Sequence, residues 1–289
     1  MTVEEVTPTT TRPVRRSLLV QRWADLTFLH WPVDPALVAP LLPAGCRPDL
    51  LDGRTYVGLI AFRMEGVGFF RGPGVPYFGD FCETNVRLYS VDANGHRAVV
   101  FLSLDAERLL PVLIARAWLR LPYMWSRMRL SRQYSQDRER PVREHNRGRQ
   151  HGADSEQGGA GRQHGGPQPG HGGNGAGDVL TYTSRRRWPG PRGARSSLSV
   201  RVGDAIAEPT PLEHFLTARW GLHTRSWGRR TIHLPNDHPQ WPLHRAELLS
   251  LDDELVPATG LPAPSGPPVS VLHSPGVPVI FGKPLQPYG

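Results

Sequence analysis

The feature that most limits the fold of this chain is the density of its breakers, 30 prolines and 31 glycines among 289 residues. Proline removes a backbone donor and glycine frees the left-handed region, so long helices are disfavoured and short segments joined by turns are favoured. Between the breaks, apolar residues recur at every second position or in short unbroken runs, which is the pattern of strands. Leu26–Trp31 reads as one strand. "GRTYVGLIAFRMEGV" (53–67) reads as another and, being apolar on both faces, belongs in the middle of a sheet. Residues 81–106 read as two strands joined at Asn94-Gly95, a favoured hairpin pair. "DVLTYTSRRRW" (178–188) and "SSLSVRV" (196–202) alternate on either side of the turn-rich "PGPRGA", and further extended segments follow from Thr231 onward.

Helices are few. Asp34 is a suitable N-cap ahead of Pro35, with Leu37, Val38, Leu41 and Leu42 as an apolar stripe stopped by Pro43 and Gly45. A second helix is predicted from "DAERLLPVLIARAWLRLPY" (105–123), with Asp105 as N-cap, a kink or start at Pro111, and Leu110, Ile114, Ala117 and Leu121 on one side. The third is "TPLEHFLTARWGL", where Thr210, Pro211 and Glu213 spell a capping box and Gly221 is the expected stop. About eight strands with two or three packed helices give an α+β chain built on a curved, mostly antiparallel sheet or partial barrel.

Two regions stand apart. Residues 1–16 are polar and rich in Thr and Pro, and read as a flexible tail. Residues 131–178 carry almost no apolar groups beyond Tyr134 and Val142, too few to offset the entropy of ordering, and read as a disordered low-complexity insertion. Residues 17–130 and 179–289 then form a single domain. No apolar run is long enough to span a bilayer and the N-terminus lacks an apolar signal region, so a cytoplasmic protein without membrane contact is expected.

The formal net charge is +8, and residues 179–245 concentrate it with eleven arginines against four acids. An Arg-rich surface over 185–230 would suit phosphates, but no nucleic-acid motif accompanies it, so weak nucleic-acid association is only an alternative reading. Cys46 and Cys82 are too few for a disulfide framework or a thiolate metal site. His233, His238 and His244 are spaced so that no helical or strand face gathers them, and the histidines of 131–178 lack a frame. No metal is expected. No phosphate loop, dinucleotide fingerprint or nucleophile elbow occurs, so no cofactor is expected either. The chain has one lysine, Lys283.

Within "FCETNVRLYS" (81–90), alternation places Glu83, Asn85, Arg87 and Tyr89 on one face. An acid, an amide, a guanidinium and a phenol in one row have two readings: a wet face on an edge strand, or the lining of a barrel interior, where polar groups must satisfy each other or a ligand.

The segments "RWADLTFLHWPVD", "LLPAGCRPDLLDGRTYVGLIAFRM", "ETNVRLY", "FLSLDAERLL", "YTSRR", "LEHFLTARWGL" and "HPQWPLHRAE", in this order, resemble the YqjF-like proteins, a bacterial family of uncharacterised activity grouped with the acetoacetate decarboxylase-like fold. The resemblance implies a cone-like β-barrel with outer helices and a polar cavity, which turns the 81–90 row inward. Decarboxylases of that superfamily use a buried lysine as a Schiff base. Lys283, in "FGKPL" near the C-terminus, is placed for the surface, so amine-dependent decarboxylation is disfavoured. The family also has only a short connection where this chain carries residues 131–178.

The expectation is a small-molecule pocket for an anionic or carbonyl-containing ligand. Glu83 is the candidate acid or base, and Asn85, Arg87, Tyr89, Arg63, Arg116 and Tyr123 are the candidate ligand-binding residues. Any catalysis would be lyase- or hydrolase-like acid–base chemistry on a small carboxylate or carbonyl compound. A non-catalytic ligand-binding or regulatory protein with the same pocket is the alternative. Oligomeric state is not legible.

Overall fold

A computed structural model of the chain describes residues 2–69, 79–109, 112–113, 121–135, 175–225 and 230–285. Twelve strands form one sheet: β1 (Leu19–Val33), β2 (Arg47–Pro48), β3 (Thr55–Phe69), β4 (Phe81–Val91), β5 (Arg97–Ala106), β6 (Tyr123–Gln133), β7 (Val179–Trp188), β8 (Arg195–Ala205), β9 (Gly221–Arg225), β10 (Thr231–Asp237), β11 (His244–Asp253) and β12 (Ser270–Phe281). Pairing is antiparallel except where β5 meets β6 and β9. The mostly antiparallel barrel predicted from the alternating segments is what forms.

The sheet closes twice. From β4 it continues to β5, and β5 forks: its end pairs with β6, while Val99 near its start pairs with Leu222 of β9. β12 forks in the same way, meeting β11 at Leu272 and His273, and β10 at Ile280 and Phe281. The strands β12, β1, β3, β4 and β5 are therefore a wall common to two rings. β6, β7, β8 and β11 complete a nine-strand barrel, and β9 with β10 completes a smaller seven-strand ring.

Because side chains alternate, each wall strand feeds both interiors. Leu29, Val57, Leu59, Val86 and Leu88 pack with Leu180, Leu198 and Val200 inside the nine-strand barrel. Phe28, Ile60, Phe62 and Tyr89 face the other way, packing with Leu222, Leu234 and Phe215 inside the seven-strand ring. This explains why Thr55–Met64 is apolar on both faces.

Two α-helices lie wholly among the described residues, and Leu109, Val112 and Leu113 are helical as well. α1 (Pro35–Val38) has the expected Asp34 cap, whose carboxylate accepts from the Ala36 N–H. α2 (Pro211–Thr217) has the complete capping box of Thr210 and Glu213, and its Phe215 and Leu216 are buried in the seven-strand ring. No helix among the described residues is long and apolar enough to cross a membrane.

Several expectations need correction or placing. α2 ends at Thr217 rather than at Gly221, which instead opens β9. A Cβ at Gly221 would lie 2.5 Å from the His233 ring, so its smallness serves cross-strand packing and not a helix stop. Asp105 is not a helix cap but the buried end of β5, and the helix expected after it falls largely outside the described residues. "YMWSRMRLSRQ" is a strand, β6, which runs past residue 131 to pair Gln133 with Val179. Most of the expected insertion, residues 136–174, also lies outside the described residues. The N-terminal stretch does not trail away: the Glu4 N–H donates to Gly95 O, the Val14 N–H to the Asp237 carboxylate, and Thr7 O accepts from the Trp220 indole. Polar composition hid these contacts because backbone groups make most of them.

Candidate functional site

The row of β4 is buried throughout: Glu83 is 2% exposed, Asn85 0%, Arg87 5% and Tyr89 0%. β4 lies between β3 and β5 and is no edge strand. All four side chains lie on the face of β4 turned toward the seven-strand ring, where α2 meets Arg87 and Tyr89.

Helix termini leave carbonyls without intrahelical partners, and α2 turns that need into a guanidinium clamp. Leu216 O accepts from Arg87 Nη2 at 2.8 Å and from Tyr89 Oη at 3.0 Å. Phe215 O accepts from Arg219 Nε and Nη2 at 2.8 and 2.6 Å, and Thr217 O accepts from the Trp241 indole. Cations at a helix C-terminus are favoured by its partial negative charge. The Tyr89 ring lies between two guanidiniums, with Arg219 4.8 Å and Arg87 5.5 Å from its centroid.

The two arginines differ in counter-charge. Arg219 donates to Asp49 at 2.5 Å, and Arg97 shares the same carboxylate at 2.6 Å. Arg87 donates to Tyr89 Oη at 3.1 Å and to the Leu216 carbonyl, and no carboxylate among the described residues forms an ion pair with it. Burial, with the added fields of Arg87 and Arg219, holds His30 well below the ordinary imidazole range, and burial chiefly lowers His238 as well. The Tyr89 hydroxyl donates to Leu216 O, so His30 Nε2, 2.7 Å away, is the donor to that oxygen. Arg87, Arg219, Asn236 and His238 line a cavity of about 20 Å³, with Trp23, Trp241 and Phe281 as apolar walls.

Glu83 occupies a different part of the row. It stands four residues before Arg87, about 13 Å along β4. It accepts from Tyr123 Oη at 3.0 Å. Burial dominates its chemistry and raises its pKa to about 8, against the stabilising hydrogen bonds of Tyr123 and Asn85 and with added repulsion from Asp105. Glu83 is therefore largely protonated at neutral pH. Tyr123 is pushed well above the phenol range by burial and by Glu83. Asn85 sits between Glu83 and Arg87; beyond its weak support of Glu83, neither its amide nor its carbonyl reaches good hydrogen-bond geometry with a described group.

Of the remaining candidates, Arg63 sits on the opposite face of β3, beside Cys82, and pairs with Glu65 at 2.5 Å on a half-exposed surface. It does not join the row. Arg116 lies outside the described residues. Lys283 is exposed beyond β12, so no lysine amine enters either ring. Sequence reasoning missed Arg219, Asp49 and Asn236, which reach the chamber from a post-helix turn, a loop and β10; no local periodicity marks them. The Arg-rich stretch is divided by the fold: Arg186 and Arg219 are buried with Asp105 and Asp49, while Arg195 and Arg201 pair with acids of β11 and its end.

A family model described as DUF2071, uncharacterized conserved protein, matches residues 20–278. The uncharacterized protein YqjF of Bacillus subtilis (strain 168) is 24% identical over 256 residues, 89% of this chain and 86% of that protein. Among solved structures, an acetoacetate decarboxylase-like enzyme from Sphingomonas wittichii RW1 superposes with a TM-score of 0.56 at 13% identity, covering 99% of each chain. The acetoacetate decarboxylase of Legionella pneumophila gives 0.51 at 14% identity, covering 98% of this chain and 93% of that one. The enduracididine biosynthesis enzyme MppR complexed with pyruvate gives 0.53 at 14% identity, covering 96% and 91%. At such identities the likeness concerns the fold. The doubly closed barrel and the extent of the family match together make this chain a member of the DUF2071 family, with an acetoacetate decarboxylase-like fold.

Proposed function

We infer that the seven-strand ring is a pocket for a small carboxylate, with Arg87 as its anchor and Asn85 as the hydrogen-bonding partner of an adjacent carbonyl. One observation carries this reading. Arg87 is buried on the cavity wall without a carboxylate partner among the described residues, and a buried guanidinium calls for counter-charge. The bland alternative, in which Glu83 simply neutralises Arg87, is disfavoured because no ion pair joins them and Glu83 holds its proton. At about 20 Å³ the cavity holds little more than a water, so even a compact carboxylate requires its walls to move apart. That MppR, on the same fold, is described in complex with pyruvate supports 2-oxo acids as the first compounds to try.

Glu83 supports a second reading, acid–base catalysis. A carboxyl with a pKa of about 8 can donate a proton at neutral pH, as lyase- or hydrolase-like chemistry on a carbonyl compound requires. Schiff-base chemistry has no amine here. The test is titration of the full chain with pyruvate, acetoacetate and simple carboxylates, followed by calorimetry. The expected result is binding of at least one of them that Arg87→Met weakens at least tenfold; binding unaffected by that substitution would overturn the reading.

A further inference from the structure

A cluster outside the pocket joins residues far apart in sequence. Asp92 opens the β4–β5 turn, and His223 on β9 stands directly across from His233 on β10. All three are buried, with exposures of 5%, 1% and 0%, and one donor atom from each lies within 4.8 Å of the other two. His223 Nε2 is 3.5 Å from Asp92 Oδ2 and 3.2 Å from His233 Nδ1. Two donors bonded at zinc distances to one tetrahedral ion are about 3.3 Å apart. These two separations bracket that value.

The surroundings fix the donor atoms. Ser90 Oγ donates to Ala98 O, so its oxygen, 2.8 Å from His223 Nδ1, receives that ring's proton and leaves the neutral ring's Nε2 lone pair facing Asp92 and His233. Asp92 Oδ1 accepts from the N–H groups of Asn94 and His96, which aims Oδ2 into the cluster. His96 Nδ1 stands 3.1 Å from Oδ2 as an outer partner. Without a metal, His96 Nδ1 can donate to Oδ2 and the proton on neutral His233 Nδ1 to the His223 lone pair. A divalent cation serves all three groups. Gly221 makes room for the His233 ring, and Arg12, whose charge reaches His233, is itself paired with Glu4.

We propose that Asp92, His223 and His233 form a divalent-metal site of the zinc class that ties the β9–β10 ribbon to the β4–β5 turn. Two imidazoles and one carboxylate suit a borderline ion such as Zn²⁺ or Co²⁺, with a further position for a small exchangeable ligand. The site lies on the opposite side of the ribbon from Leu222 and Leu234 and is independent of the Arg87 pocket.

The test uses the full chain with His145, His151, His164 and His171 replaced by Gln, so that imidazoles of the 131–178 segment do not contribute. The chelator-stripped protein is loaded with Zn²⁺ or Co²⁺, passed through gel filtration and assayed for metal content and visible absorption. One retained equivalent is expected, with Co²⁺ giving the visible bands of a four- or five-coordinate site and a higher Tm than the stripped form. His223→Gln and Asp92→Asn should each lose the retained metal and the bands, while His244→Gln should keep both. Absence of retained metal in the parent protein overturns the proposal whatever the variants do, as does retention unchanged in a folded His223→Gln or Asp92→Asn protein.

Discussion

Arg186 and Arg87 are both buried guanidiniums, one on each side of the same five-strand wall. In the nine-strand barrel, Arg186 meets Asp105 with two hydrogen bonds of 2.9 and 2.6 Å, and Ser126 adds a third bond to that carboxylate. That buried pair is complete. In the seven-strand ring, Arg87 has a phenol and a helix carbonyl but no acid among the described residues, while Glu83 keeps its proton and Asn85 lacks well-formed bonds. A completed pair holds a fold together; an incomplete set of polar groups in a closed chamber is the arrangement a ligand would complete.

The largest effect should come from breaking the completed pair. Asp105→Asn leaves a buried guanidinium without its carboxylate and should cost about 3–5 kcal/mol, read from the urea midpoint. Next is Glu83. Below about pH 4.5 both the folded and unfolded chains hold its proton; as pH rises to about 8 the unfolded chain releases a proton that the folded chain keeps, so stability declines across this window. Glu83→Gln removes that decline and should stabilise the protein above pH 8 by an amount on the order of 4 kcal/mol while changing little at pH 4. Unfolding curves at pH 4, 7 and 9 check both the sign and the window.

Smaller effects test how the seven-strand ring is closed. Gly221→Ala places a methyl 2.5 Å from the His233 ring between two strands with little freedom to part, for a cost of about 1–3 kcal/mol. Thr210→Ala deletes one half of the capping box on the helix whose carbonyls hold Arg87 and Tyr89, and should lower stability by about 1 kcal/mol.

The contrast between the chambers also marks what the sequence could reveal. Strand positions were legible because alternation is local, and the capping box named the start of α2 residue by residue. The row of Glu83, Asn85, Arg87 and Tyr89 was legible as a row. Its surroundings were not, since β4 is buried on both faces and alternation does not say which interior each face enters. β6 was not legible as a strand because its partner, Val179–Trp188, lies about fifty residues away across an apolar-poor stretch. Asp92, His223 and His233 meet only through the cross-strand register of β9 with β10 and the forked end of β5, so no spacing rule could gather them.

The most direct measurement pairs ligand affinity with stability in Arg87→Met. Tyr89 Oη still donates to Leu216 O in that variant, so no helix carbonyl is orphaned and an apolar side chain fills the space. The account predicts a carboxylate titration weakened at least tenfold, with an unfolding free energy within about 1.5 kcal/mol of the parent. A variant that binds as the parent does, or that loses stability as severely as Asp105→Asn, would show that Arg87 is structural and contradict the pocket.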